Sequence, residues 1–189
     1  MRVFKRAVSE EAVLEEWSEI QAAQSDPAMF RPLYDRYFEA IFRFVQRRTA
    51  DEELSADLCS QIFLKAMQKL HTYNFRGLPF SSWLFKIAAN EVSQHYRQQQ
   101  KNRMVSMEDN DLSDMIEEME ESDDALHRAN LVKVLDSLDE KDLQLIEMRF
   151  FEQRPFKEIA EIMGITESNA KVKTYRILER LRTKLINLT

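Results

Sequence analysis

Residues 168–176 carry the densest set of groups able to recognise a partner: Ser168, Asn169, Lys171, Val172, Lys173, Tyr175 and Arg176. On a helix, Ser168, Val172, Tyr175 and Arg176 lie on one side, flanked by Asn169, Lys171 and Lys173. Hydroxyl, amide and cationic groups on one helical face suit base edges and phosphates in a DNA major groove. A merely solvated face is the other reading of the same pattern. A second set lies upstream. Lys86, Asn90, Ser93, Arg97 and Lys101 recur at steps of four, three, four and four. The loop His71–Pro79 feeds Phe75 and Arg76 into that stripe. Rings that stack on bases beside cations that hold phosphates suit single-stranded nucleic acid, though such a stripe also fits plain solvation. A third set, Asp57, Gln61, Lys65 and Lys69, places charge at helical spacing. It faces water or sets register with a partner protein. No nucleophile–base set, phosphate-binding loop or cluster of metal ligands is present. We expect no catalytic residue, no metal, no cofactor and no small-molecule substrate.

The first set needs an element to hold it. Phe156, Ile159, Ala160 and Met163 recur at helical spacing. Gly164 then stops the helix, since glycine enters the left-handed cap without strain. Ile165 fills the angle, and Thr166 caps the next helix. In that helix Ala170, Thr174, Ile177 and Leu181 stack inward, behind the polar face. The pattern is a helix-turn-helix or an ordinary helical hairpin.

With two Gly and four Pro in 189 residues, the composition favours an all-α protein of one or two small domains. The single cysteine, Cys59, excludes an internal disulfide. No secretory leader or membrane span is legible, so no membrane insertion is expected and a reducing cytoplasm is the default location. The net charge of −6 is unevenly spread. Residues 105–124 hold ten acidic residues and no basic ones, and they sit between two mildly basic blocks. Such blocks imply separate segments with separate partners.

In chain order, Ser9–Gln24 reads as a helix. A second helix restarts at Asp26-Pro27 and carries Phe30, Leu33, Tyr34, Tyr37, Ile41, Phe44 and Val45 on one side, closed by Arg47 and Arg48 on the negative end of its dipole. Asp51–Leu70 is a third helix, with Leu54, Leu58, Ile62, Leu64, Met67 and Leu70 as its apolar contacts. Phe80–Arg103 is a fourth, with Leu84, Ile87, Ala88 and Glu91 inward and Trp83 on the edge. Val105–Asp124 lacks aromatic and basic residues and reads as a linker, with at most a transient or partner-induced turn at Met115, Ile116 and Met119. Ala125–Leu138 and Glu140–Phe151 are helical, and with the hairpin they make a small four-helix unit.

Four stretches in order resemble one family, the extracytoplasmic-function (ECF) sigma factors, initiation subunits of bacterial RNA polymerase. FRPLYDRYFEAIFRFV is similar to the family's first core helix and SADLCSQIFLKAMQKL to its polymerase-docking helix. FRGLPFSSWLFKIAANEVSQHYR is similar to its promoter-melting segment. LDSLDEKDLQLIEMRFFEQRPFKEIAEIMGITESNAKVKTYRILERLR is similar to its C-terminal DNA-reading domain. The resemblance implies two small helical domains: an N-terminal bundle over 1–104 and a helix-turn-helix domain over 128–189, joined by an acidic linker at 105–127.

Roles follow by position. The resemblance implies that Asp57, Gln61, Phe63, Leu64 and Lys65 dock on core polymerase, although Ser60 stands where the family commonly has Gln. It implies that Phe75, Arg76, Lys86, Asn90, Ser93 and Arg97 serve the minus-ten element, with Asn90 and the His71–Pro79 loop on an extruded base. The Arg/Lys run usual after this helix is diluted by three Gln. It implies that the residue 168–176 face reads the minus-thirty-five element, with Val172 where a small polar residue is frequent. Phe80, Leu84, Ile87 and Trp83 are expected to pack. The implied partners are core RNA polymerase, promoter DNA and an anti-sigma factor, often membrane-bound. A helix-turn-helix regulator that is not an initiation subunit is the alternative; it leaves residues 1–104 without a role.

Overall fold

Side-chain caps set where these helices begin. In a computed structural model that describes residues 9–99, 109–119 and 125–188, Ser9 accepts the Ala12 N–H at 3.2 Å and starts α1 (Glu10–Ser25). Asp26 accepts from Ala28 at 3.0 Å and starts a short 3-10 turn, Pro27–Phe30, that leads into α2 (Arg31–Thr49). Asp51 accepts from Leu54 and starts α3 (Glu52–Lys69). After the loop comes α4 (Phe80–Gln99). The C-terminal elements are α5 (Asp109–Met119), α6 (Ala125–Asp136), α7 (Glu140–Ile146) with a π-helical turn over Glu147–Phe151, α8 (Phe156–Met163) and α9 (Glu167–Ile186). No strand occurs among the described residues. Lys101 and the two ends of the acidic segment lie outside them.

These elements form two units, divided between residues 103 and 104. In the N-terminal unit α3 packs on α2 and α4, and α1 packs across α2 and the start of α4. Leu33, Ile41, Phe44, Val45, Ile62, Leu84 and Phe85 fill its core. The inward face of α3 differs from the expected one. Cys59, Phe63 and Ala66 are buried, whereas Leu64 and Met67 are exposed. A helix held from two sides buries a wider arc than one apolar stripe indicates. On α4 the same cause makes Phe85, Ala89 and Val92 core residues. Arg48 stands in the last turn of α2 as expected, but it is also buried, and its carbonyl accepts the Tyr96 hydroxyl.

In the C-terminal unit α6 to α9 surround Leu131, Leu143, Ile146, Met148, Phe150, Ile159, Ile177 and Leu181. The inward set of α8 is Glu158, Ile159, Ala160 and Ile162, with Phe156 half-buried under Arg149, whose guanidinium lies 4.4 Å from the ring centre. Glu158 is tied to Arg154 at 2.7 Å.

The acidic segment departs most from expectation. Residues 109–119 form a helix, and Leu112, Met115, Ile116 and Met119 are all buried against the π-helical turn and α9. Arg128 donates to Ser113 and Gln153 to Asp114, each at 3.1 Å. Burying four such side chains contributes about 1.5–3 kcal/mol each. Like-charge pairs on an exposed helix face cost only a few tenths of a kcal/mol. Packing therefore outweighs repulsion once a receiving surface exists.

Candidate nucleic-acid and docking surfaces

The turn before α9 forms as its chemistry requires. Gly164 takes φ 66° and ends α8, the Ile165 N–H donates to the Ala160 carbonyl at 3.0 Å, and Thr166 accepts from the Asn169 N–H at 3.2 Å. Ala170, Thr174, Ile177 and Leu181 are buried, and the Thr174 hydroxyl is satisfied by the Ala170 carbonyl at 2.9 Å. The opposite face is open: Ser168, Asn169, Lys171, Val172, Lys173, Tyr175 and Arg176 are all exposed. Val172 and Tyr175, each 45% exposed, stand among Lys171, Lys173 and Arg176 on this face. Tyr175 has a partner that was not foreseen. The carboxylate of Glu118 on α5 acts on its hydroxyl. Partial burial, then that carboxylate, raise its pKa, while Arg149 opposes the rise. Burial lowers the pKa of Arg149, offset by Glu118 and Tyr175.

In the other unit the loop is held from α1. Gln24 Nε2 donates to the Leu70 and Tyr73 carbonyls, both at 2.9 Å, where the loop begins. Glu16 Oε2 accepts the Phe80 N–H at 2.8 Å, where the loop ends. Glu16 is itself buried and bound by Tyr37 and Arg36. Trp17 stacks on Phe75, with ring centres 5.5 Å apart and planes at 25°. Tyr73 and Phe80 close on Trp83 at 5.1 and 5.2 Å. Trp83 and Phe80 therefore pack, as expected. Arg76 is exposed beside Gly77, which takes φ 67°. Asn90 and Arg97 are exposed, and Lys86 and Ser93 are half-buried along the same helix.

The outer face of α3 shows Asp57, Gln61, Leu64 and Met67 to solvent. Phe63 is not on that face. It is buried against Tyr34, with ring centres 4.7 Å apart, and Phe38. Lys65 is half-buried and paired with Glu91 of α4 at 2.5 Å. Phe63 presents little surface to a partner, whereas the Lys65 side chain is 39% exposed beside Glu91. Met67 joins the exposed patch, and its position one turn beyond Leu64 was the available signal. Nothing in sequence spacing signals the roles of Glu16, Trp17 or Gln24 at the loop, because their partners there lie 46–64 residues away. Among the described residues no cluster of three or more His, Cys, Asp or Glu could hold a metal, and no helix is long and apolar enough to cross a membrane.

Two family models match the chain: Sigma-70 region 2 over residues 33–102 and Sigma-70, region 4 over residues 134–183. Among curated relatives, the ECF RNA polymerase sigma factor BldN of Streptomyces coelicolor is 28% identical over 163 residues, covering 85% of this chain and 61% of the relative. The ECF RNA polymerase sigma factor SigM of Bacillus subtilis is 25% identical over 154 residues, covering 79% of this chain and 91% of the relative. Of solved structures, CnrH in complex with the cytosolic domain of CnrY is similar at a TM-score of 0.58 and 20% identity, over 90% of this chain and 94% of that one, a likeness of fold. Both models belong to one family, match in its order and together span more than half of the chain, so the chain belongs to the extracytoplasmic-function group of RNA polymerase sigma factors.

Proposed function

We propose that this chain binds core RNA polymerase in the cytoplasm, directs it to a specific set of promoters and helps to open them. The observation that carries this reading is a pair of separate nucleic-acid-suited surfaces, one in each unit. The first is the exposed face of α9 over a fully packed inner face. The second is the aromatic–basic loop that runs into the polar stripe of α4. A regulator that only binds duplex DNA needs the first surface and has no use for the second.

In this reading residues 1–104 dock on polymerase and engage the minus-ten element, 105–127 connect the units while their helix α5 packs on the C-terminal one, and 128–189 engage the minus-thirty-five element. Asp57, Gln61, Leu64 and Met67 form the docking patch, with Lys65 at its edge and Phe63 supporting it from behind. Lys171, Lys173 and Arg176 hold phosphates and fix register, while Ser168, Asn169, Val172 and Tyr175 meet base edges. Extruding a base costs a few kcal/mol of lost stacking. Asn90 and the loop around Phe75 and Arg76 offset that cost by receiving it, with Lys86, Ser93 and Arg97 along the strand. Linking the two units raises the effective concentration of the second contact once the first has formed. No side chain of this protein takes part in phosphoryl transfer, which belongs to the polymerase. An anti-sigma partner fits the same reading, since occupying the docking patch would silence the chain.

Run-off transcription with purified core enzyme on genomic fragments tests the proposal. Discrete start sites that depend on the added chain are expected. DNA binding without any such start would sink it.

A further inference from the structure

The segment matched to region 2 begins at residue 33, yet the loop inside it is held by a helix that precedes it. α1 reaches the loop at three places. Gln24 gives both of its amide protons to the carbonyls of Leu70 and Tyr73. Trp17 covers one face of Phe75 and touches Tyr73. Glu16 takes the first free N–H of α4 at Phe80. An N–H at a helix start has no partner within its own helix, so the register of α4 against the loop depends on a side chain 64 positions upstream. Between these anchors Asn74, Arg76 and Gly77 are exposed. Trp17 stacks on Phe75, which is half-buried, and so fixes the plane of that ring next to the exposed Arg76.

We propose that α1 is a specificity-positioning element, in which Gln24 and Trp17 set the loop conformation that decides which minus-ten base is accepted. Neither residue touches DNA; both act through the loop. The inference rests on the reading of the loop as the minus-ten contact, and its test separates the two.

The experiment uses the full chain with core polymerase and a panel of promoters in which each minus-ten base is changed in turn. Open-complex formation is measured on every promoter. Gln24→Glu keeps the shape of the side chain but removes both donated protons and sets a carboxylate against two carbonyls. Trp17→Leu removes the stacked ring, and Trp17→Phe restores a ring. Gln24→Glu and Trp17→Leu are each expected to cut discrimination between preferred and substituted bases roughly tenfold, the scale set by losing one or two net hydrogen bonds or a stacked pair. Trp17→Phe is expected to recover most of it, with core affinity unchanged in all three. An equal loss on every promoter, or discrimination identical to the wild type, overturns the proposal. Arg76→Ala and Asn90→Ala serve as loop-side variants. If these too leave discrimination intact, the minus-ten reading of the loop fails and the inference falls with it. If they alter discrimination while the α1 variants do not, the role of α1 alone is refuted.

Discussion

Asn90 and Phe63 show how exposure divides residues that a sequence pattern groups together. Asn90 projects from α4 into solvent, so Asn90→Ala removes an amide without opening a cavity. Open-complex formation is expected to drop while core binding persists; permanganate footprinting checks this, and normal strand opening by the variant would falsify the assignment. Phe63 is 3% exposed. Phe63→Ala is expected to cost about 3–5 kcal/mol of stability through the cavity it leaves, read by chemical denaturation. Asp57→Arg, on the exposed face, is expected to weaken core binding in a pull-down with no change in midpoint. Cys59 gives a pH signature. Burial pushes its thiol from 9.0 up to about 11, so the folded chain keeps a proton that the unfolded chain has released. The resulting stability is fully present below the ordinary thiol pKa and is lost as pH rises through the folded value. Denaturation midpoints should fall across that alkaline window, and less steeply in Cys59→Ala.

At the scale of elements, α5 carries most of the new information. Its buried stripe of Leu112, Met115, Ile116 and Met119 makes it part of the C-terminal unit. Met115→Ala is expected to lower that unit's stability by about 2–5 kcal/mol, measured by denaturant unfolding; a segment without fixed packing would show no change. Burial and then the Glu118 carboxylate raise the Tyr175 pKa, so Glu118→Gln should let Tyr175 ionise at lower pH, which a spectroscopic titration follows. α1 makes the corresponding case in the other unit, since its polar side chains finish a loop and cap a helix that lie far along the chain.

For the whole molecule, the charge pattern decides the conditions under which function is visible. A net charge of −6 disfavours DNA binding in bulk, yet residues 105–124, with ten acidic and no basic residues, more than account for it. The exposed cations of α9 act locally, because screening limits charge effects to about 10 Å at ordinary ionic strength. Promoter affinity of the holoenzyme is expected to fall linearly with salt on logarithmic axes. Lys171→Ala should reduce that slope by about one. Filter binding over a salt series measures both, and an unchanged slope would remove Lys171 from the phosphate contacts.

Helix content, the cap residue Thr166, the Gly164 turn and the inward row Ala170–Thr174–Ile177–Leu181 were legible in the sequence, because each depends on neighbours within about one helical turn. The four family-like stretches were legible for the same reason: they are runs of local pattern. The inner arc of α3, the burial of Arg48 and Phe63, the folding of α5 and the hold of α1 on the loop were not. Each depends on which surface arrives from a distant part of the chain, and no local period encodes that. In residues 109–119 local charge argued for a linker and tertiary packing made a helix, since four buried apolar side chains outweigh the repulsion of acids such as Glu117 and Glu118 that still face water.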